Sequence, residues 1–154
     1  MATLYLSLGT NMGDRQSNLE TALTLIGQKI GTVNAVSKII ETEPWGFSSP
    51  NRFLNMAVKV TTELGPRHAL LVTQGIERKI GRTEKSSGRV YHDRVIDIDI
   101  LLYDDLVMDT PELTIPHPLM HKRIFVLKPL VEIAPDVEHP VLHRKIRQIA
   151  DELE

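Results

Sequence analysis

The chain has 154 residues, 42% apolar and 25% charged, which is the size and make-up of one globular domain with room for a proper core. A net charge of -2 leaves no global basic field for nucleic acid or anionic lipid, and the absence of cysteine excludes disulfides, thiolate catalysis and Cys-based zinc sites. No apolar run approaches membrane-spanning length, and residues 1–9 alternate apolar with polar and lack a basic leader, so they read as a strand and the expected location is the cytoplasm.

Leu4, Leu6 and Leu8 alternate and Gly9 ends the run, the pattern of a first strand. Asp14 suits the N-cap of a helix carrying Leu19, Ala22, Leu23, Ile26 and Ile30, with Gly31 ending it. Residues 32–42, rich in Val, Ile and Thr, read as a second strand. Residues 43–51 hold prolines, a glycine and serines, so they form a loop, and residues 53–62 are a third strand. Pro66 fits the first turn of a second helix, with Leu70, Leu71, Gln74, Ile76, Glu77 and Ile80 following and Gly81 stopping it. Residues 82–93 are polar and basic without apolar period, the character of a lid or binding loop. Residues 95–103 are a fourth strand. The order β-α-β-β-α-β is the split βαβ, or ferredoxin-like, arrangement. The rest holds a Pro-rich turn at residues 115–118, an amphipathic segment over 121–132 and a charged helix from about residue 141. The expected fold is α+β, a three-layer α/β/α sandwich. In it a mainly antiparallel sheet carries the first two helices on one face and the C-terminal helices on the other, in a single domain over residues 1–154.

The run Arg94-Val95-Ile96-Asp97-Ile98-Asp99-Ile100 is the most informative stretch. Strand alternation turns Asp97 and Asp99 to one face and the isoleucines to the other. Asp is depleted in strands, so two in one short strand need a reason. A solvated face is one; a hard cation such as Mg²⁺, which takes one or two carboxylates and leaves its other positions to water and phosphate, is another. The preceding loop carries Arg82, Lys85, Arg89 and Arg94, the composition of a polyphosphate site in which guanidinium groups neutralise charge. There is no G-x-x-x-x-G-K-[ST] phosphate loop, and Gly9-Thr10-Asn11-Met12-Gly13 reads as a tight turn. Trp45, Phe47, Phe53 and Tyr91 fall in or beside loops, where they either pack the core or form a slot for a flat heterocycle. Asn55, two residues after Phe53 on the same strand face, has an amide able to donate and accept along the edge of a pterin or purine. His117 and His121 frame the Pro-rich turn; the spacing is not H-E-x-x-H, so a hydrogen bond to phosphate or ribose suits His117 better than a metal.

Taken together, Gly9-x-Asn11, Thr42-x-Pro44-x-Gly46, Phe53-Leu54-Asn55, Gln74-x-x-Glu77, Gly81-Arg82, Arg94-x-x-Asp97-x-Asp99 and Pro116-His117 followed by Arg123 and Phe125 resemble the hydroxymethyl-dihydropterin pyrophosphokinases of folate biosynthesis. The resemblance runs over essentially the whole chain. It implies transfer of pyrophosphate from ATP to the pterin's hydroxymethyl group, with AMP leaving. It implies two Mg²⁺ ions at Asp97 and Asp99, and Arg82 and Arg94 clamping the phosphates. The pterin would meet Thr42, Pro44, Trp45, Gly46, Phe53, Asn55, Tyr91 and Phe125. ATP would meet Gln74, Glu77, Lys85, Ile100, His117 and Arg123. The loops at 43–51 and 82–94 resemble the family's lids. No nucleic acid or membrane partner is implied, and a monomer is expected. Tyr91-His92-Asp93 stands where members often carry a Trp and a Gly-Pro. The rival class is a ferredoxin-like nucleic-acid-binding module without catalysis; against it stand the negative charge and the acids on the fourth strand.

Overall fold

The structure, a computed structural model, describes residues 1–43, 51–81 and 95–154. The expectations for Pro44, Trp45, Gly46, Arg82, Lys85, Tyr91 and Arg94, and for most of both loops, lie outside the described residues.

Strand β1 (Ala2–Thr10) leads into helix α1 (Arg15–Lys29). The Asp14 carboxylate accepts the Ser17 amide at 3.1 Å, satisfying one of the donors that a helix start leaves open. Leu19, Ala22, Leu25 and Ile26 form the buried stripe of α1. Strands β2 (Gly31–Val36), β3 (Ile40–Thr42) and β4 (Phe53–Thr62) follow, then α2 (Pro66–Gly81) and β5 (Asp97–Tyr103). The sheet order is β2-β4-β1-β5, with β3 also on β4 and every pairing antiparallel. This is the split βαβ order expected from the sequence. A short ribbon of β6 (Met108–Asp109) and β7 (Thr114–Ile115), a 3₁₀ turn (Met120–Lys122), α3 (Ile124–Ile133) and α4 (Ile146–Leu153) complete the described chain.

Both sheet faces are covered, so three layers form. Leu4, Leu6, Leu8, Met56, Val58, Val60, Ile98 and Ile100 face α1 and α2. Tyr5, Ala57, Leu101 and Leu102 face α3 and α4. Two-sided burial explains why β1 is buried almost without interruption. Gly31 starts β2 where a Cβ would come within 2.0 Å of the Thr61 carbonyl oxygen, so no side chain fits that close approach.

Three boundaries differ from expectation. The strand expected over 32–42 is two strands, because Ser37 leaves the regular ladder: its hydroxyl accepts the Ala57 amide at 2.8 Å. The next amide, of Lys38, turns instead to Glu132 on α3 at 3.0 Å. The segment expected over 121–132 breaks at Arg123, whose backbone is extended between the 3₁₀ turn and α3. The C-terminal helix begins at Ile146, not near residue 141. The reason is His139, whose Nδ1 accepts the amides of Leu142 at 3.1 Å and Val141 at 3.3 Å and holds those residues in a turn.

The α3 layer depends on Leu127, fully buried against the sheet. Leu127→Ala should cost about 2–5 kcal/mol of unfolding free energy, read as a lower urea midpoint at unchanged slope.

Candidate active site

The site is built on one end of the sheet. Gly9 on β1 pairs with Asn55 on β4 and with Asp97 on β5. Two residues further in, Ser7 pairs with Ala57 and Asp99. Residues directly opposite in an antiparallel ladder share a face, so Asp97, Asp99, Ser7 and Asn55 all project from the face that α3 and α4 cover further along. Ile98 and Ile100 project the other way and are each 4% exposed. The alternation read from the sequence therefore holds, and it ends at a bulge. Register shifts between Tyr5 and Leu6, leaving Leu101 extra, and Leu101 and Leu102 both enter the α3 and α4 core. The carboxylate-bearing face thus stops against an apolar wall.

Asn55 lies about 10 Å from Asp97, two strand spacings across the sheet. Between them in the sheet, among the described residues, lies the backbone of Gly9. A Cβ there would sit 3.2 Å from the Asn55 amide oxygen and 3.6 Å from the Phe53 ring. Phe53 and Asn55 thus lean over bare peptide. The Asn55 Nδ2 donates to the Thr42 hydroxyl at 2.7 Å, which sets the amide's orientation and leaves its oxygen toward Gly9. Asn55 is buried, while Phe53 and Thr42 are half-buried. These three form one polar and aromatic end of the cleft; Asp97 and Asp99 form the other.

The segment after β7 supplies more. His117 donates its backbone N–H to the Leu101 carbonyl at 3.0 Å, docking that segment on the inner end of β5. Its Nδ1 accepts the Leu119 amide at 3.1 Å. Burial, reinforced by the nearby Arg123 charge, lowers the His117 pKa to about 4, so the ring is neutral at pH 7 and Nε2 is its N–H donor. Arg123 precedes α3 with its guanidinium carbon 5.8 Å from the centre of the Phe125 ring, and Phe125 packs on the α3 core.

Gln74 and Glu77 lie on α2, in the layer opposite the carboxylates. Glu77 reaches the outer edge of β5. There the Glu77 carboxylate accepts the Ile98 amide at 2.7 Å, giving a partner to an N–H that faces away from β1. Ile100, expected to meet ATP, offers its main chain for that contact. Its side chain is core, packed toward α1 and α2, and only its backbone lies at the edge. A cavity of about 500 Å³ lies elsewhere, lined by Asn11, Met12, Gly13, Arg15, Glu41, Asn51 and Arg52. None of the expected site residues lines it, although Glu41 and Arg52 are chain neighbours of Thr42 and Phe53.

Asp97 and Asp99 offer two hard oxygen donors on one face. No group of three or more His, Cys, Asp or Glu able to hold a metal gathers among the described residues. A cation bound by the two aspartates would complete its shell with water and phosphate oxygens, the habit of Mg²⁺.

Sequence reasoning passed over Thr10 and Asn18. Thr10 is fully buried and donates its hydroxyl to the Val95 carbonyl. Asn18 on α1 donates its amide to the same carbonyl at 3.1 Å, to Met12 O at 2.9 Å and to the Thr10 hydroxyl at 3.2 Å. The available signals were a polar residue continuing the Leu4-Leu6-Leu8 core face and an Asn within the first turns of a helix.

Residues 5–135 match the model of the family described as 7,8-dihydro-6-hydroxymethylpterin-pyrophosphokinase. The chain belongs to this pyrophosphokinase family. A 2-amino-4-hydroxy-6-hydroxymethyldihydropteridine pyrophosphokinase of Porphyromonas gingivalis is 52% identical over 136 residues, covering 88% of this chain and 92% of its own. The enzyme of the same name from Aquifex aeolicus is 39% identical over 152 residues, covering 99% and 92%. Among solved structures, wild-type Plasmodium falciparum HPPK-DHPS superposes with a TM-score of 0.80 at 19% identity, covering 98% of this chain. That likeness concerns the fold, and this pyrophosphokinase spans 44% of the longer chain. The rival reading as a nucleic-acid-binding module gains no support, since the relatives are pyrophosphokinases.

His117 generates a pH prediction. Its folded pKa lies near 4 against 6.5 for the free side chain, so the unfolded chain takes up the proton first. Its contribution to stability is complete above pH 6.5 and is lost as pH falls toward 4. Urea midpoints measured across that window should fall less steeply for His117→Asn than for wild type.

Proposed function

We propose that the chain, as a single pyrophosphokinase domain over residues 1–154, transfers pyrophosphate from ATP to the hydroxymethyl group of 6-hydroxymethyl-7,8-dihydropterin in folate biosynthesis. The pterin hydroxyl oxygen bonds to the β-phosphorus of ATP. The bond from that phosphorus to the oxygen bridging it to the α-phosphorus breaks, AMP leaves with that oxygen, and the hydroxyl proton is released. The observation that carries the reading is the pair Asp97 and Asp99, side by side on one strand face of a chain from a pyrophosphokinase family.

Asp97 and Asp99 hold Mg²⁺, two ions by resemblance to the family. Bound there, Mg²⁺ supplies charge neutralisation to the polyphosphate. The rest is positioning, which in-line displacement at phosphorus needs more than covalent help. Phe53 and Phe125 stack on the pterin ring, and Asn55, oriented by Thr42, reads its edge. The separation of about 10 Å between Asn55 and Asp97 suits a ligand whose flat ring lies at one end and whose exocyclic alcohol reaches the other. Neutral His117 and cationic Arg123 serve the nucleotide side: one gives a hydrogen bond without charge, the other a charge to phosphate. Glu77 and Gln74 reach the nucleotide around the edge of β5. Arg82, Arg94, Lys85, Pro44, Trp45, Gly46 and Tyr91, outside the described residues, enter from the family resemblance alone.

The protein acts as a monomer in the cytoplasm without nucleic-acid or membrane partners. The net charge of -2 gives no basic field for an anionic partner, and no helix among the described residues is long and apolar enough to cross a membrane.

Incubation with ATP, Mg²⁺ and the pterin should yield AMP as the nucleotide product, separated by ion-exchange chromatography; ADP would refute pyrophosphoryl transfer. Asp97→Ala and Asp99→Ala should each lower turnover more than about a hundredfold with an unchanged circular dichroism spectrum. A rate like wild type in either variant would remove that aspartate from the metal site.

A further inference from the structure

The strand that carries the aspartates begins at its weakest point. The β1–β5 ladder starts with the pair Gly9 and Asp97, so Asp97 is the first residue that strand pairing holds. The end of a ladder opens most readily, yet a metal ligand there must be steady. Asp97 is also the first laddered residue after residues 82–94.

Thr10 and Asn18 act on this junction. The Thr10 hydroxyl donates to the Val95 carbonyl while accepting from the Asn18 amide, and that amide also reaches the Val95 carbonyl at 3.1 Å. The same amide holds the Met12 carbonyl at 2.9 Å, so one side chain joins the turn after β1 to the start of β5. The chain separations are 85 residues for Thr10 to Val95 and 77 for Asn18 to Val95, so neither contact is a by-product of local turn geometry. Thr10 shares the face of Leu4, Leu6 and Leu8, and Asn18 belongs to α1; both therefore hold β5 from the helix side. The carboxylates project from the opposite side, so the clamp steadies them without entering the cleft. On the far edge, Glu77 secures the Ile98 amide. Asp97 thus sits between two fastenings.

We infer that Thr10 and Asn18 are positioning residues, whose shared grip on the Val95 carbonyl sets the Asp97 and Asp99 carboxylates for metal binding. This rests on the metal reading of the two aspartates. Breaking the grip leaves the ladder itself in place but lets its first residue wander, so metal affinity falls before the fold does.

The test uses the full chain with a non-hydrolysable ATP analogue and Mn²⁺ as probe, the free ion being counted by electron paramagnetic resonance. Thr10→Val keeps the shape and removes the hydroxyl. It should weaken Mn²⁺ binding about tenfold or more, as loss of an outer supporting contact does in other metal sites. Amide exchange at Ile98, whose N–H is held by Glu77, should rise in parallel. Thr10→Ser restores the donor and should stay within about twofold of wild type. Asn18→Ala, at a half-buried position, should also weaken Mn²⁺ binding and serves if Thr10→Val does not fold. Wild-type Mn²⁺ affinity in Thr10→Val and Asn18→Ala, with affinity lost in Asp97→Asn, would overturn the clamp and leave the metal reading standing. Wild-type affinity in both Asp97→Asn and Asp99→Asn would overturn the metal reading and the clamp with it.

Discussion

The period of two along β5 is the constraint on which the site depends. Ile98 and Ile100 must enter the core beneath the sheet, and that burial fixes the register of the strand on β1. A slip by one residue would turn the aspartates into the apolar layer, where an unpaired carboxylate costs several kcal/mol, and would expose both isoleucines. Hydrophobic burial on one face thus guarantees where the charge stands on the other. The bulge at Leu101 then ends the arrangement. Beyond it the same strand face becomes core against α3 and α4, so the polar cleft has an apolar back wall.

The central strand completes the geometry. β1 is paired on both sides, so the residues facing each other across Gly9 belong to strands that meet only through it. Asn55 and Asp97 are held at a spacing that sheet hydrogen bonding dictates, independent of any loop. Chemistry at phosphorus rewards this rigidity, because its barrier falls through placement and charge neutralisation.

Much of this was legible in the chain because local rules and tertiary structure agree. Asp14 caps α1, Pro66 opens α2, and the alternation of residues 96–100 survives intact. Three features were not legible, each because a distant partner decides it. Ser37 interrupts a run of strand formers because its hydroxyl finds the Ala57 amide. His139 delays α4 by gathering amides that a helix start would otherwise use. Thr10 looks like one more strand residue until the Val95 carbonyl arrives from the other half of the chain. Ile100 shows how the two sources combine. Family resemblance named the position, and strand period assigns its side chain to the core.

Gly9 has a consequence for any small molecule designed to compete at this cleft. Where a ligand rests on side chains, a protein under selection can swap them and shed the intruder. Here the floor is main chain, and a methyl group there would crowd the Asn55 amide and the Phe53 ring, the groups proposed to recognise the pterin. A competitor pressed flat on that strip would leave the protein few escapes that do not also injure its own turnover.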